Sequence, residues 1–256
     1  MSLVINTNIA SLNAQRSLAK SGAELSTAME RLSSGKKINS AADDAAGFAI
    51  AERMTAQVRG LNMATKNAND GLSMLATIEN ATNDVTDMLH RMRELAVQAA
   101  NDTNSATDRG YLQTEVTAFI AEIDRVASDT KYNGTAVLDG TFTSKKLQVG
   151  TEAAQSITFS VSDVESTALA VNAADISTQA GAATALTSIS AAIETVAGQR
   201  ATYGALQNRL EYTVSNLMNV SEFTQAARSR IEDADFAAER ARLSKAQVLQ
   251  QTGTAM

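Results

Sequence analysis

No proline occurs among the 256 residues, where roughly 13 would be usual at a frequency of about 5 %. Proline breaks helices by removing a backbone donor and clashing with the preceding turn, so nothing of that kind interrupts the apolar periodicity. Near the C-terminus the series Leu186, Ile189, Ile193, Val196, Arg200, Tyr203, Leu206, Leu210, Val214, Leu217, Val220 advances by threes and fours, as one face of a helix does. Arg200 interrupts its apolar face, and Gly198 and Gly204 each weaken the helix by roughly 1 kcal/mol. The spacing predicts one helix over 184–227, on the order of 65 Å long at about 1.5 Å per residue. A compact globule of this chain length is only about 47 Å across. The sequence therefore predicts a rod: a mainly α, elongated antiparallel helical bundle or coiled coil.

The N-terminal half carries similar stripes. Met54, Val58, Leu61, Ala64, Ala68, Leu72, Leu75 and Ile78 form one series, and Val85, Met88, Met92, Leu95 and Ala99 another. A first helix is expected over about 6–33, with Leu12, Leu18, Leu25 and Leu32 near one side and Gly35 as its C-cap. The polar run Asn39-Ser40-Ala41-Ala42-Asp43-Asp44 offers capping side chains before the next helix. Tyr111, Val116, Phe119, Ile120, Ile123 and Val126 support a helix over about 105–128.

The middle reads differently. Asn133-Gly134 and Asp139-Gly140 are turn pairs, and short strands are expected at 142–144, 146–149 and 157–161. Residues 166–185 are rich in Ala, Ser and Thr with Asp175 the one charge, and the pattern leaves loop, short helix and irregular connection open. The organisation is thus long helices, a small β region in the middle of the chain, then long helices.

Composition narrows the function classes. With no Cys and a single His90, disulfide frameworks, cysteine nucleophiles, Cys-bearing zinc sites and H-E-x-x-H helices are excluded. The net charge of −6 disfavours a general nucleic-acid binder. Residues 1–60 and 222–256 are near neutral while the stretch between is acidic, a pattern suited to ends that meet each other or identical subunits. No run of 18 apolar residues occurs, so no membrane span is expected. Met1–Asn8 lacks a basic n-region and an apolar h-region of useful length, so a cleaved leader is not expected, although export is not thereby excluded.

Candidate chemistry resolves into structure. Asp43-Asp44 diverge on a helix and read as turn and cap residues. Glu232-Asp233-Ala234-Asp235, flanked by Arg228, Arg230, Arg240 and Arg242, lacks calcium-loop spacing and reads as salt-bridged surface. His90 reads as an exposed helix histidine, and Gly35-Lys36-Lys37 lacks the phosphate-loop frame. The methionines at 54, 63, 74, 88, 92 and 218 read as flexible fillers between helices. Arg91-Met92-Arg93-Glu94-Leu95 offers either bundle seam or a contact face anchored by Arg. No enzyme, cofactor or metal is expected.

Three stretches carry a family resemblance. They are Met1–Asn8 through Leu32-Ser33-Ser34-Gly35-Lys36-Lys37-Ile38-Asn39-Ser40-Ala41-Ala42-Asp43-Asp44-Ala45-Ala46-Gly47; Arg93-Glu94-Leu95-Ala96-Val97-Gln98-Ala99-Ala100-Asn101; and Gln207-Asn208-Arg209-Leu210-Glu211 with Ser229–Ala237 and Leu249–Met256. In order and separation the chain closely resembles bacterial flagellin, in a compact form without large outer domains and without the Leu-rich segment that usually follows. The resemblance implies a secreted, extracellular structural subunit that self-assembles into the flagellar filament for motility. Residues 1–43 and 231–256 would be terminal helices of the inner filament core, 44–135 and 185–230 a rod-shaped helical bundle, and 136–184 the small β region and connection. It also implies partners: other flagellin subunits, cap and junction proteins, the flagellar type III export apparatus and its chaperone. As a monomer the chain would meet Toll-like receptor 5 through the positions matching Arg91, Leu95 and Glu115. The alternatives are a hook–filament junction protein, which is similar at its termini, and a surface adhesin or binding module using 140–185. Phe223-Thr224 stands where relatives often carry Asn-Leu.

Overall fold

The computed structural model describes residues 8–255; the expected helix start before Asn8, and Met1–Thr7 and Met256 of the terminal segments, lie outside the described residues. Five helices and two small hairpins follow in the order α1 (Ile9–Ser34), α2 (Ala45–Ala99), α3 (Ala106–Asp129), β1 (Lys131–Tyr132), β2 (Thr135–Ala136), β3 (Lys145–Gln148), β4 (Ser156–Phe159), α4 (Gln179–Glu232) and α5 (Phe236–Ala255). The chain is mainly α with a β-hairpin region in its middle. The two N-terminal series belong to a single helix of 55 residues. The C-terminal helix runs for 54, starting before and ending after the predicted span.

Packing divides the chain into two units, one made of residues up to Gly60 and from Asn219 onward, the other of Leu61–Met218. In the second unit, most of the predicted α2 stripe is buried: Ala68, Leu75, Ile78, Val85, Met92, Leu95 and Ala99 are all at most 1 % exposed, joined by Leu89, which the series did not include, while Leu72 and Met88 are part-buried. Val116 and Ile123 from α3 and Ile189, Val196, Tyr203 and Leu210 from α4 close the same core. Among the described residues 13 of the 38 buried apolar side chains are alanine, and Tyr203 is the one aromatic. Small side chains let helices approach closely, and hydroxyls are made compatible with burial by bonding back to the helix. Thr82 is fully buried, its Oγ1 donating to the Ile78 carbonyl at 2.9 Å. Met74 and Met92 fill the core as expected, whereas Met63 and Met218 stand more than half exposed. Arg200, on the apolar face of α4, is accommodated by Glu79 of α2 at 3.8 Å, while Gln207 donates to the other Glu79 oxygen at 3.0 Å.

Of the two turn pairs only one makes a hairpin turn; Asp139-Gly140 lies in a bend, with Gly140 at φ 75°. Asn133 and Gly134 both take positive φ (48° and 79°), the geometry that matches strand twist in a two-residue turn, and Tyr132 anchors the β1–β2 ribbon by donating to the Asp70 carbonyl at 3.1 Å. The strand expected at 142–144 does not form. Phe142 instead accepts from Val161 N–H at 2.9 Å and packs its ring 5.9 Å from Phe159. β3 and β4 pair antiparallel with Leu147 opposite Ile157.

The undecided Ala/Ser/Thr segment is an ordered, mostly turn-built strap as far as α4. Ser166 donates N–H and Oγ to the Asp124 carboxylate at 2.8 and 2.9 Å, and Ser162 N–H donates to Tyr203 Oη at 3.2 Å. Gln113 binds the strap twice, accepting from Ile176 N–H at 2.6 Å and donating to the Ala174 carbonyl at 3.2 Å. α4 is long and apolar enough, by length and composition, to cross a bilayer, although Ser and Thr punctuate its apolar residues. Its apolar side, Ala182, Ala185, Ile189, Ala192 and Val196, lies in the core.

Candidate functional site: exposed helix faces and the Arg91 patch

In the unit that holds both chain ends, α1 and α5 lie side by side and antiparallel. Arg31 Nη1 meets Glu239 Oε1 at 3.3 Å near one end of the pair, and a Cβ on Gly253 would touch Leu18 near the other. Asn8 caps α1, accepting from Ser11 N–H at 3.1 Å, and Gly35 ends it with φ 71°, a conformation that costs glycine little. Asp235 caps α5, accepting from Ala237 and Ala238 N–H at 2.9 and 3.2 Å.

The acidic pairs flagged in sequence take their structural roles. Asp43 Oδ2 accepts from the N–H groups of Asn39 and Ser40 at 3.1 and 2.9 Å; the Ser40 and Asn39 bonds hold its carboxyl below the usual carboxylate range. Asp44 accepts from Gly47 N–H at 3.0 Å at the start of α2. Glu232 pairs with Lys36 and with Arg228, the latter at 3.6 Å, and the 5 %-exposed Glu239 pairs with Arg31 and Arg242.

Large apolar side chains are among those that these helices leave uncovered. Ile9 and Leu12 on α1 are 68 % and 52 % exposed, and Val248 and Leu249 on α5 are 57 % and 43 % exposed. Large apolar side chains left in water on a helix are candidates for cover by a partner. Phe223 on α4 also stands out, at 74 % exposed.

In the other unit, the three residues singled out in sequence separate by environment. Arg91 Nε meets Glu115 Oε1 at 3.1 Å and its Nη1 meets Glu94 Oε2 at 3.0 Å; Glu94 and then Glu115 hold the guanidinium more firmly protonated. Leu95, 1 % exposed, belongs to the core. Arg91 and Glu115 therefore form the surface, tying α2 to α3, and Leu95 does not reach it. Sequence reasoning missed Glu94 as the second carboxylate on Arg91, although its i,i+3 spacing was legible.

His90 is exposed on α2, and among the described residues no three of His, Asp and Glu come together as a group able to hold a metal ion. Four carboxylates, Asp163, Asp124, Asp139 and Glu165, do gather near the strap. Repulsion from Asp163, followed by desolvation and then the other two, pushes the Glu165 carboxyl up. Fixed capping bonds, helix-face ion pairs and uncovered apolar side chains define a helical structural protein that associates through its surfaces.

The profile of the bacterial flagellin N-terminal helical region matches residues 5–143, and that of the bacterial flagellin C-terminal helical region matches residues 186–256. A flagellin of Halalkalibacterium halodurans is 41 % identical over 256 residues, covering 99 % of this chain and 94 % of the relative. The flagellar filament 33 kDa core protein of Treponema phagedenis is 40 % identical, again covering 99 % of this chain and 94 % of its own. Among solved structures, Bacillus cereus flagellin superposes with a TM-score of 0.54 at 32 % identity, covering 59 % of this chain and 88 % of that one. The chain belongs to the bacterial flagellin family. It is a structural subunit of the flagellar filament.

Proposed function

We infer that this chain works by lateral and axial stacking of identical copies outside the cell, the exposed apolar sides of α1 and α5 being the surfaces that copies cover. The observation that carries this is that Ile9 and Leu12 of α1 and Val248 and Leu249 of α5 stand uncovered, on helices whose ends are held by caps and an ion pair. Contacts that do not close on themselves build open helices from one subunit type, and propulsion is the rotation of that assembly. Residues 1–43 and 231–256 would supply the inner filament core, 44–135 and 185–230 the surrounding helical bundle, and 136–184 the outward β region. Replacing Leu12 and Val248 by Asp should leave the monomer's helical content unchanged and abolish elongation from filament seeds, read by sedimentation. Elongation at the parent rate would overturn the reading.

The finer partners rest on family membership. They are the cap and junction proteins, and the type III export apparatus with its chaperone, which would deliver the chain for folding outside the cell. Toll-like receptor 5 would take the monomer at the Arg91–Glu115 surface, support for which is an exposed, charge-paired patch that joins α2 to α3. In a reporter-cell assay Arg91→Ala should lower signalling by soluble monomer. Unchanged signalling would remove the patch from consideration.

A further inference from the structure

Three places in the chain set a side-chain carbonyl next to a glycine nitrogen: Asp70-Gly71, Asn133-Gly134 and Asp139-Gly140. That nitrogen can attack the neighbouring carbonyl carbon, because glycine has no Cβ to shield it. Asparagine is the more reactive partner, since its amide carries no charge to repel the nucleophile, and it counts among the thermolabile residues. The three pairs look alike as sequence. The fold separates them.

Asp70-Gly71 lies inside α2, where the Gly71 N–H is committed to the helix ladder, and Gly71 is buried with Leu147 where a Cβ would stand. Asp139-Gly140 is held by its neighbour: Asp139 Oδ1 accepts from Thr141 Oγ1 at 2.7 Å and from Thr141 N–H at 3.0 Å. Those bonds hold its carboxyl below the usual carboxylate range, and a carboxylate repels a nucleophile. Asn133-Gly134 has neither protection. Both residues are exposed at the tip of the β1–β2 ribbon, whose register pairs Tyr132 with Thr135 and leaves the two turn residues outside the ladder. Among the described residues nothing hydrogen-bonds the Asn133 side chain. The ribbon is two residue pairs long, so the local opening that brings Gly134 N onto Asn133 Cγ costs far less than unfolding the core.

We propose that Asn133 is a site of spontaneous covalent modification, deamidated through a succinimide to aspartate and isoaspartate while the rest of the fold stays native. Water or hydroxide takes the Gly134 amide proton, the nitrogen bonds to Asn133 Cγ, and the Cγ–Nδ2 bond breaks as ammonia leaves with a proton. Water then opens the ring. Cleavage of the new Cγ–N bond leaves aspartate on the original main chain, whereas cleavage of the peptide C–N bond leaves isoaspartate, with the main chain routed through Cβ and Cγ. Nothing is oxidised or reduced, and water is the one co-reactant. Either product adds a negative charge at the tip. Isoaspartate also lengthens by a methylene a turn whose two residues both need positive φ, and so works against the ribbon that Tyr132 anchors to α2. The ribbon belongs to the Leu61–Met218 unit, which does not include the helices at the chain ends.

The test needs no substitution. Soluble full-length chain is incubated at neutral pH, once native and once unfolded in guanidinium chloride, and its peptides are followed over time by mass spectrometry. Isoaspartate is located by labelling with an isoaspartyl methyltransferase. In the native chain Asn133 should convert faster than any other asparagine, at a rate within about tenfold of its unfolded rate, a barrier difference of about 1.4 kcal/mol. Isomerisation at Asp70 and Asp139 should be slowed by more than that factor on folding, because the helix and the Thr141 bonds are then in place. The Asn133 rate should also rise from neutral to mildly alkaline pH, since the attacking nitrogen must lose its proton. Folding that slows Asn133 as strongly as Asp139, or another asparagine that converts first, would overturn the proposal. So would aspartate forming at position 133 without isoaspartate, because the amide would then be hydrolysed directly and not through the ring.

Discussion

At the scale of the residue, burial decides what a substitution in the Arg91 region reports. Leu95 is 1 % exposed, so Leu95→Ala should destabilise the fold by about 2–5 kcal/mol through lost transfer energy and a residual cavity. Arg91 stands half exposed between two carboxylates, and exposed pairs contribute little to stability; Arg91→Ala should leave the urea midpoint unchanged. A loss of partner binding in Leu95→Ala is therefore a folding result, and only Arg91→Ala tests the surface. Tyr203 gives a pH signature of its own. Burial pushes its hydroxyl above the ordinary value, so the native state holds the proton more tightly than the unfolded chain does. Its contribution is complete below about pH 10, the unfolded value, and is lost as pH rises through the folded value. Tyr203→Phe should cost about 1 kcal/mol at pH 7 by orphaning Ser162 N–H and should abolish that alkaline loss, as urea titrations at pH 7 and near pH 10.5 would register.

At the scale of the element, the long helices were legible because each carries its own evidence. Stripes at threes and fours, no proline, and Gly35 after α1 are local signals, and the structure places α1, α2, α3 and α4 where those signals fall. The β region was only partly legible. Asn133-Gly134 specifies its own turn, whereas 142–144 has strand-like residues but spends its one cross-strand bond on Val161. The strap at 162–178 could not be read at all, because its partners, Gln113, Asp124 and Tyr203, are contributed by α3 and α4. The exposed positions of the candidate site were not singled out in sequence, because apolar residues such as Leu12 and Val248 carry no mark of their own and only packing shows which side lacks a neighbour. The helices also retain room for improvement. Gly198 lies exposed inside α4 with nothing within 4 Å of where a Cβ would stand. Gly198→Ala should stabilise by about 0.5–1 kcal/mol, seen as a raised thermal midpoint; no change would mean that α4 is not helical there in solution.

At the scale of the whole molecule, the distribution of apolar surface separates the two packing units. Residues 61–218 enclose a continuous core running through α2, α3, the strap and α4, while the unit holding the chain ends leaves Ile9, Leu12, Val248 and Leu249 uncovered. Acid should weaken the capping turns, since Asp43 and Asp108 are held below their ordinary values by Ser40 and Ser105; their stabilisation is present above the unfolded carboxylate value and is lost as pH falls through the folded one. The preference for alanine in the core also has a calorimetric consequence. A methyl group brings less hydrocarbon out of water on unfolding than a leucine or phenylalanine does, and exposure of hydrocarbon is what raises the heat capacity of the unfolded chain. An average protein of this length would show an increment of roughly 3–4 kcal/mol/K. Scanning calorimetry of this one should give less, and hence a shallower dome of free energy against temperature, with cold and heat each eroding the native state more gently than in a ring-packed protein of the same size.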